Sequence, residues 1–472
     1  MPRAGVWVLG AVYVIVVAYF VLLNLFYLLT SLAAFAALRR YARRLKVLDT
    51  EELIAGGGAP PITLIAPAFN EEATCVEATR ALLTLRYPEY EILVVNDGSR
   101  DATLARLTEA FALVPAVRAP MAAVPTKPVR AVLRSARHPA LWVIDKENGG
   151  KSDALNVGLN HCRTPLFCAL DADSLLERDA LARVVRPFLE RKDTVAVGGI
   201  IRIVNDCAVE DGTVTRIRLP KKLLARFQVL EYLRAFLAGR MGWAALDATL
   251  IISGAFGLFR RSIVVQAGGF ATDTVGEDME LVVRLHRACR ERGVPYRITF
   301  IPDPVAWTEC PETVRVLGRQ RDRWQRGLTE VLTRHRRMLL RPRFGRIGLL
   351  AYPYFFFLEM LGPAVEMAGY LAFVVLLAMG RGSGPYTWAL LAVALGFGVA
   401  LSVAAVALEE LSFRRYPRIR DVVGLFGLAV AENFGYRQLS TWWRIRGMIS
   451  AMRGAKGWGT MTRKGFGSEA AR

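Results

Sequence analysis

The cysteines and histidines of this chain give little with which to build a metal centre or a cross-linked scaffold. Cys75, Cys162, Cys168, Cys207, Cys289 and Cys310 form no C-x-x-C pair, and His138, His161, His286 and His335 are scattered without ligand spacing. Neither a zinc site nor a disulfide framework is indicated, and buried reduced thiols in a cytosolic domain are the expectation. Charge is absent altogether from Gly5 to Leu38. As a helix that run would reach roughly 50 Å, more than a bilayer core requires. It is too long for a secretory signal, and its arginine-rich cluster follows the run instead of preceding it.

Acidic residues are in the minority, 42 against 62 Lys and Arg, for a net charge of +20. The densest basic clusters, Arg39-Arg40-Tyr41-Ala42-Arg43-Arg44 and Arg414-Arg415-Tyr416-Pro417-Arg418, abut long apolar runs. That placement suits cytoplasmic flanks and anionic lipid, whereas a nucleic-acid reader would carry its basic face within a soluble domain. Membrane lipid is therefore an expected partner and nucleic acid is not. Residues after 39 are expected in the cytoplasm. The 472 residues suffice for two or three domains, and the 53% hydrophobic content averages two unlike kinds of segment.

Two more apolar stretches, Ile347–Gly380 and Thr387–Leu408, are separated by the short turn Arg381–Pro385 and read as a helical hairpin. Glu359 and Glu366 are costly in lipid, so they should face protein or water. Val422–Val430 is apolar but soon meets Glu432, Arg437 and the basic, aromatic Trp442-Trp443-Arg444-Ile445-Arg446. The region from 421 to 450 reads as lying in, or re-entering, the interface. The resulting organisation is a transmembrane helix with a basic flank (1–45), a cytosolic domain (60–341), an interfacial or transmembrane hairpin (342–410) and a basic C-terminal region (411–472).

Between residues 60 and 341 short β-rich runs alternate with helix-like stretches. The strands drawn are Ile62–Ala66, Glu91–Val95, Leu141–Ile144, Leu166–Leu170 and Val195–Val197, with helices over Glu71–Leu85 and Lys151–Leu159. This alternation argues a Rossmann-like α/β domain with a mainly parallel sheet, whose ligand site lies at the carboxyl ends of the strands. The second strand runs into Asn96-Asp97-Gly98-Ser99 and the fourth into Asp171-Ala172-Asp173. Each is also good turn or capping chemistry. Two carboxylate clusters at neighbouring strand ends would repel unless a cation or hydrogen-bond donors bridged them. Asp171 and Asp173 offer hard oxygens suited to Mg²⁺ or Mn²⁺ on a substrate diphosphate. Gly149-Gly150-Lys151-Ser152 resembles the tail of a phosphate loop, but Asp145 stands where its first glycine belongs, so an ordinary NTPase is excluded. Gly276-Glu277-Asp278 precedes an amphipathic helix (Leu281, Val282, Leu285), and Asp278 is either a helix-start carboxylate or a base. Gln320–Gly327 is cation-rich and aromatic, and by composition alone it reads as an interfacial anchor.

In this order, Asn96-Asp97-Gly98-Ser99, Gly150–Asn156, Asp171-Ala172-Asp173, Gly276-Glu277-Asp278 and the Gln-x-x-Arg-Trp of Gln320, Arg323 and Trp324 make the chain resemble the family 2 inverting glycosyltransferases. Within them it resembles the membrane-integrated processive synthases of cellulose, chitin, hyaluronan and poly-N-acetylglucosamine. The resemblance implies a GT-A domain in which Asp97 holds the uracil and ribose of a UDP-sugar donor and Lys151 helps bind the nucleotide. Asp171 and Asp173 would hold the metal and Asp278 would be the catalytic base. Gln320, Arg323 and Trp324, with Glu277, would border the acceptor, and by its own chemistry the Arg323 guanidinium would also stabilise charge on the leaving diphosphate. Gly276 stands where Thr or Ser is commoner, and that departure leaves both acids intact. Pro311-Glu312-Thr313 looks most like the poly-N-acetylglucosamine branch.

The implied activity is inverting transfer of a sugar, best N-acetylglucosamine, to a growing β-linked polysaccharide at the cytoplasmic face of a bacterial inner membrane. The alternatives are transfer of one sugar to a lipid acceptor, and a nucleotide-binding membrane scaffold without catalysis. Three expected spans are few for a self-contained pore, so a second copy, an accessory subunit or a short glycolipid product would complete the account.

Overall fold

The computed structural model describes residues 3–45, 57–210, 212–380 and 419–454, with isolated positions between 384 and 407. Most of the expected span Thr387–Leu408, the turn before it and the cluster Arg414–Arg418 lie outside the described residues. The chain divides into two compact units. One, the sheet unit, takes Arg39–Pro220 and Asp247–Cys310; the other, the helical unit, takes Met1–Leu38, Lys221–Leu246 and Pro311–Thr460. Segments 221–246 and 311–341, inside the 60–341 range drawn from sequence, thus group with the helices.

The sheet unit is built on β1 (Ile62–Ala68), β2 (Tyr90–Asn96), β3 (Leu113–Pro115), β4 (Val129–Ser135), β5 (Leu141–Lys146), β6 (Leu166–Leu170), β7 (Leu175–Leu176) and β8 (Thr194–Ile203). A small hairpin, β9 (Ala208–Glu210) and β10 (Thr213–Arg216), follows, and β11 (Phe256–Arg260) and β12 (Arg297–Thr308) complete the set. The large sheet runs β3-β4-β5-β2-β1-β6-β11-β8-β12-β7. At its centre β5, β2, β1 and β6 are all parallel. These strands are near-continuous apolar runs because helices cover both faces of a parallel sheet. Helix Lys151–His161 lies so close to β1 that a Cβ on Gly158 would overlap the Ile65 side chain.

The five strands drawn from sequence are all present. Three others carry local signals that disguise them. β4 holds Arg130 and Arg134 on a partly exposed strand near the edge, and β11 is short and contains Gly257. β12 contains Pro302 and Pro304, and its pairing with β8 slips between Phe300 and Pro304. Proline cannot donate to the ladder, so it is carried where the register is already broken. Helix Glu277–Arg292 buries Leu281, Val282 and Leu285, the stripe expected from sequence, and stops at Gly293 in the left-handed conformation.

Among the described residues two helices, Gly10–Arg44 and Ile347–Ala378, are long and apolar enough to cross a membrane. Their crossing is close: a Cβ on Gly369 would sit 3.0 Å from Val16, the role small residues play between membrane helices. Glu359 and Glu366 meet protein partners, as their cost in lipid demands. Glu359 accepts from the hydroxyls of Tyr27 at 3.1 Å and Tyr354 at 2.9 Å. Glu366 accepts from Tyr19 at 3.3 Å and Thr441 at 2.7 Å. Helices Ile419–Ala431 and Tyr436–Met452 follow.

Candidate active site

The carboxyl ends of the parallel strands carry the acids marked in sequence. Asp97 follows β2 directly, and its amide donates to Ala68 O at the end of β1. Gly98 has φ of 67°, and a Cβ there would come within 2.7 Å of the Asn148 amide nitrogen, so this turn needs glycine. The Asp97 carboxylate is almost fully occupied. Oδ1 accepts from Lys146 Nζ at 2.6 Å and Gly149 N at 2.9 Å. Oδ2 accepts from Gly150 N at 2.7 Å and Asn148 Nδ2 at 3.2 Å. A carboxylate offers about four lone-pair sites, so Asp97 shapes the glycine loop that opens helix Lys151–His161.

Lys146 explains how such an acid can be buried. Its side chain has no exposed surface, and its ammonium pairs with Asp97 and, at 2.7 Å, with Asp153. Burial raises the Asp97 carboxyl, while Lys146 and the glycine amides pull it down. Sequence reading passed over Lys146. The available signal was a lysine closing an apolar strand, where a charge must find partners.

Lys151, at the start of its helix, bridges two other clusters. Its Nζ lies 2.7 Å from Asp171 Oδ1 and 2.9 Å from Glu277 Oε1. Burial alone would lower this lysine, but Asp171 and Glu277 outweigh it and hold the ammonium above its ordinary range. Burial raises the Glu277 carboxyl against the pull of Lys151, and the neighbouring Asp278 pushes it further up. Asp278 is half-buried, its Oδ2 accepting from Gly254 N at 2.9 Å and its Oδ1 from Met279 N at 2.7 Å. Gly254 O in turn accepts from Lys151 Nζ at 3.4 Å. A Cβ on Gly254 would sit 2.9 Å from Lys151 Nζ, which would have to shift, and at an ordinary contact distance of 3.5 Å from Asp278 Oδ2. Nothing local in Ser253-Gly254-Ala255 announced this.

Lys151, Asp171, Glu277 and Asp278 are therefore gathered in one place, with Asp97 behind the loop that leads into Lys151. Asp173 is buried in the turn after β6, two residues beyond Asp171. Among the described residues no group of three or more His, Cys, Asp or Glu is set to hold a metal ion. Asp171 and Asp173 are two hard-oxygen donors close in sequence, and one oxygen of Asp171 is already paired with Lys151. Gln320, Arg323 and Trp324 belong to helix Val314–Arg334 of the helical unit. Gln320 is buried, and Trp324 is exposed with the Arg321 guanidinium 4.5 Å above its ring.

The helix that begins at Glu277 and Asp278 is anchored at its far end by His286. His286 Nε2 lies 2.7 Å from Thr249 O and Nδ1 lies 2.9 Å from the Tyr296 hydroxyl. Helix Glu277–Arg292 thus grips the segment 249–254 at both ends. Burial, aided by Arg290, pushes this imidazole down to about 4.

Residues 60–327 match the family model described as glycosyltransferase like family 2. The poly-beta-1,6-N-acetyl-D-glucosamine synthase of Staphylococcus aureus strain COL is 29% identical over 273 residues, 58% of this chain and 56% of the relative. The enzyme of that name from Staphylococcus epidermidis is 27% identical over 316 residues, 67% of this chain and 65% of the relative. The chain thus spans less than two thirds of the length of either. A mannosyltransferase from Pyrobaculum calidifontis, solved with GDP-Man and Mn²⁺, superposes with a TM-score of 0.52 at 19% identity, covering 92% of this chain and 100% of that one. That likeness is one of fold.

Replacing Lys146 with Met leaves Asp97 and Asp153 buried without their cation, and should cost about 3–5 kcal/mol of folding stability. A denaturant melt of the solubilised chain measures it; a loss below about 1 kcal/mol would show the pair to be dispensable. His286 should make stability pH-dependent. Its folded value lies below the unfolded 6.5, so the unfolded chain takes up the proton first. Its contribution, up to about 3 kcal/mol, is present above pH 6.5 and is lost as pH falls through about 4. Stability of wild type and His286→Gln across that window should converge at low pH, and parallel curves would refute the assignment.

Proposed function

Since the chain belongs to glycosyltransferase family 2, we propose that it is a membrane-embedded inverting enzyme that transfers N-acetylglucosamine from UDP-N-acetylglucosamine to a growing β-linked polysaccharide. The observation that carries this reading is the Lys151 ammonium held between Asp171 and Glu277, one backbone residue away from Asp278. A cation beside a carboxylate base is what displacement of a diphosphate by a hydroxyl requires. The names of the staphylococcal relatives support the choice of sugar and polymer.

In the proposed reaction Asp278, its carboxylate oriented by the Gly254 and Met279 amides, accepts the proton of the acceptor hydroxyl. The acceptor oxygen forms a bond to the anomeric carbon from the side opposite UDP. The bond from that carbon to the diphosphate oxygen breaks, its electron pair leaves with UDP, and one displacement inverts the configuration. Lys151 lies where negative charge develops, and Arg323 is assigned the same duty through its guanidinium charge. Asp97 serves the nucleotide through the Asn148–Gly150 loop that it ties down. Glu277 fixes Lys151, while Gln320 and Trp324 border the acceptor, Trp324 by stacking on a sugar ring. Asp171 and Asp173 would hold Mg²⁺ or Mn²⁺, which when bound neutralises charge on the diphosphate.

The two apolar helices would span the membrane, with Arg39–Arg44 on the cytoplasmic side. A second copy or an accessory subunit would complete a path for the polymer.

Asp278→Asn should lower transfer at least about 10³-fold while UDP binding stays within about twofold, measured by release of labelled product and by nucleotide titration. Unchanged turnover would remove the base from the mechanism. Chelation of divalent cations should abolish turnover and their return should restore it; full activity in chelator would reassign Asp171 and Asp173 to holding the turn. A product no longer than one added sugar would replace the polymer with a glycolipid.

A further inference from the structure

The stretch Trp442-Trp443-Arg444-Ile445-Arg446 has the composition of a membrane flank, yet in the helical unit three of its side chains meet protein. Trp443 is buried, its Nε1 lying where a Cβ on Gly318 would come within 2.7 Å. Arg446 Nε donates to Asp322 Oδ2 at 2.9 Å. Arg444 Nε donates to Gln325 Oε1, also at 2.9 Å. Gly447 lets the two backbones close, because a Cβ there would overlap the Asp322 carbonyl oxygen. Gly318, Asp322 and Gln325 recur at i, i+4 and i+7 and so form one face of helix Val314–Arg334. At about 100° per residue, Gln320, Arg323 and Trp324 fall on the opposite face. Helix Tyr436–Met452 therefore grips the back of the helix that carries the Gln-x-x-Arg-Trp residues.

Arg444 also reaches a third helix for a definable reason. The apolar helix Ile347–Ala378 is π-helical over Tyr354–Met360 and α-helical from Gly362; in α geometry the carbonyl of Glu359 would accept from residue 363, but that residue is Pro363 and has no N–H. Ala364 N turns instead to Leu361 O, so Met360 O also lacks its usual donor. Arg444 Nη2 donates to Glu359 O at 2.6 Å, and Gln325 Nε2 donates to Met360 O at 3.0 Å. The two acceptors left by the proline are thus met by a linked pair, Arg444 and Gln325, from two other helices. A buried carbonyl without a donor is costly, so this joint has one preferred setting.

We propose that Arg444 is a positioning residue for sugar transfer: it sets the rotation and height of helix Val314–Arg334 against the apolar helix, and with them the placement of Gln320, Arg323 and Trp324. This rests on the roles proposed above for those residues, Gln320 and Trp324 at the acceptor and Arg323 at the leaving diphosphate. A lysine cannot replace it, since one ammonium cannot reproduce the planar fork that serves Gln325 and Glu359 together.

The test uses the full chain in lipid nanodiscs and reads two quantities, backbone amide exchange across 314–334 and steady-state transfer from UDP-N-acetylglucosamine. Arg444→Met and Arg444→Lys should speed exchange in that helix and lower kcat about 10- to 100-fold. The donor KM should stay within about twofold, because the donor residues of the sheet unit are untouched. Should Arg444→Met fail to fold, the rim pair supplies the same test. Asp322→Arg alone should slow transfer, and joining it to Arg446→Asp should recover at least about half the rate. Unchanged exchange and kcat would overturn the proposal, as would a donor KM rising in step with the loss of kcat, or a charge swap that recovers nothing. If the wild type transfers sugar from no UDP donor, the enzymatic reading fails, whereas the exchange measurement still decides whether Arg444 holds the helix.

Discussion

Three chain segments meet at the amino group of Lys151: the turn after β6, the first turn of helix Glu277–Arg292 and the backbone at Gly254. Asp171 and Glu277 would repel each other without a cation, and Glu277 is too deeply buried for water to screen it. The ammonium turns that repulsion into attraction from both sides. Gly254 completes the arrangement with its backbone alone, donating to Asp278 and accepting from Lys151. Geometry of this kind is pre-set: the positive group stands in place between its two carboxylates without further rearrangement.

The two lysines near the glycine loop divide the work by burial. Lys146 has no exposed side-chain surface and is committed to Asp97 and Asp153. It stabilises the loop and has no face left for a ligand. Lys151 keeps 17% of its side chain exposed, so it remains open to solvent where Lys146 is sealed off.

In the helical unit the polar groups obey the same rule in an apolar setting. Glu359 and Glu366 each accept from a tyrosine of the N-terminal helix, and Thr441 and Arg444 approach from helix Tyr436–Met452. Polar contacts inside apolar helix packing contribute modestly to stability but penalise every other register, because a slipped helix would bury a charge without a partner. Pro363 adds to this selectivity by creating acceptors that only a particular neighbour can meet.

Much of this was legible before any coordinates. Strand periodicity, the long uncharged run and acids at two strand ends are local properties, and they located the parallel core, the apolar helices, Asp97 and Asp171; Lys151 was marked by a glycine-rich helix start, and Glu277 and Asp278 by the start of an amphipathic helix together with the family resemblance. Other features were hidden because their cause is a neighbour distant in sequence. Lys146 is a core residue only because Asp97 and Asp153 surround it. Gly254 matters because Lys151 and Asp278 meet its backbone in space, and β12 is a strand despite two prolines because its pairing with β8 carries a broken register there. Arg444 looked like a membrane flank because composition records the charge and not its partner. Which residue types could do chemistry was written along the chain, whereas which of them touch was left to long-range packing, where burial makes each unmatched charge or carbonyl too costly to leave alone.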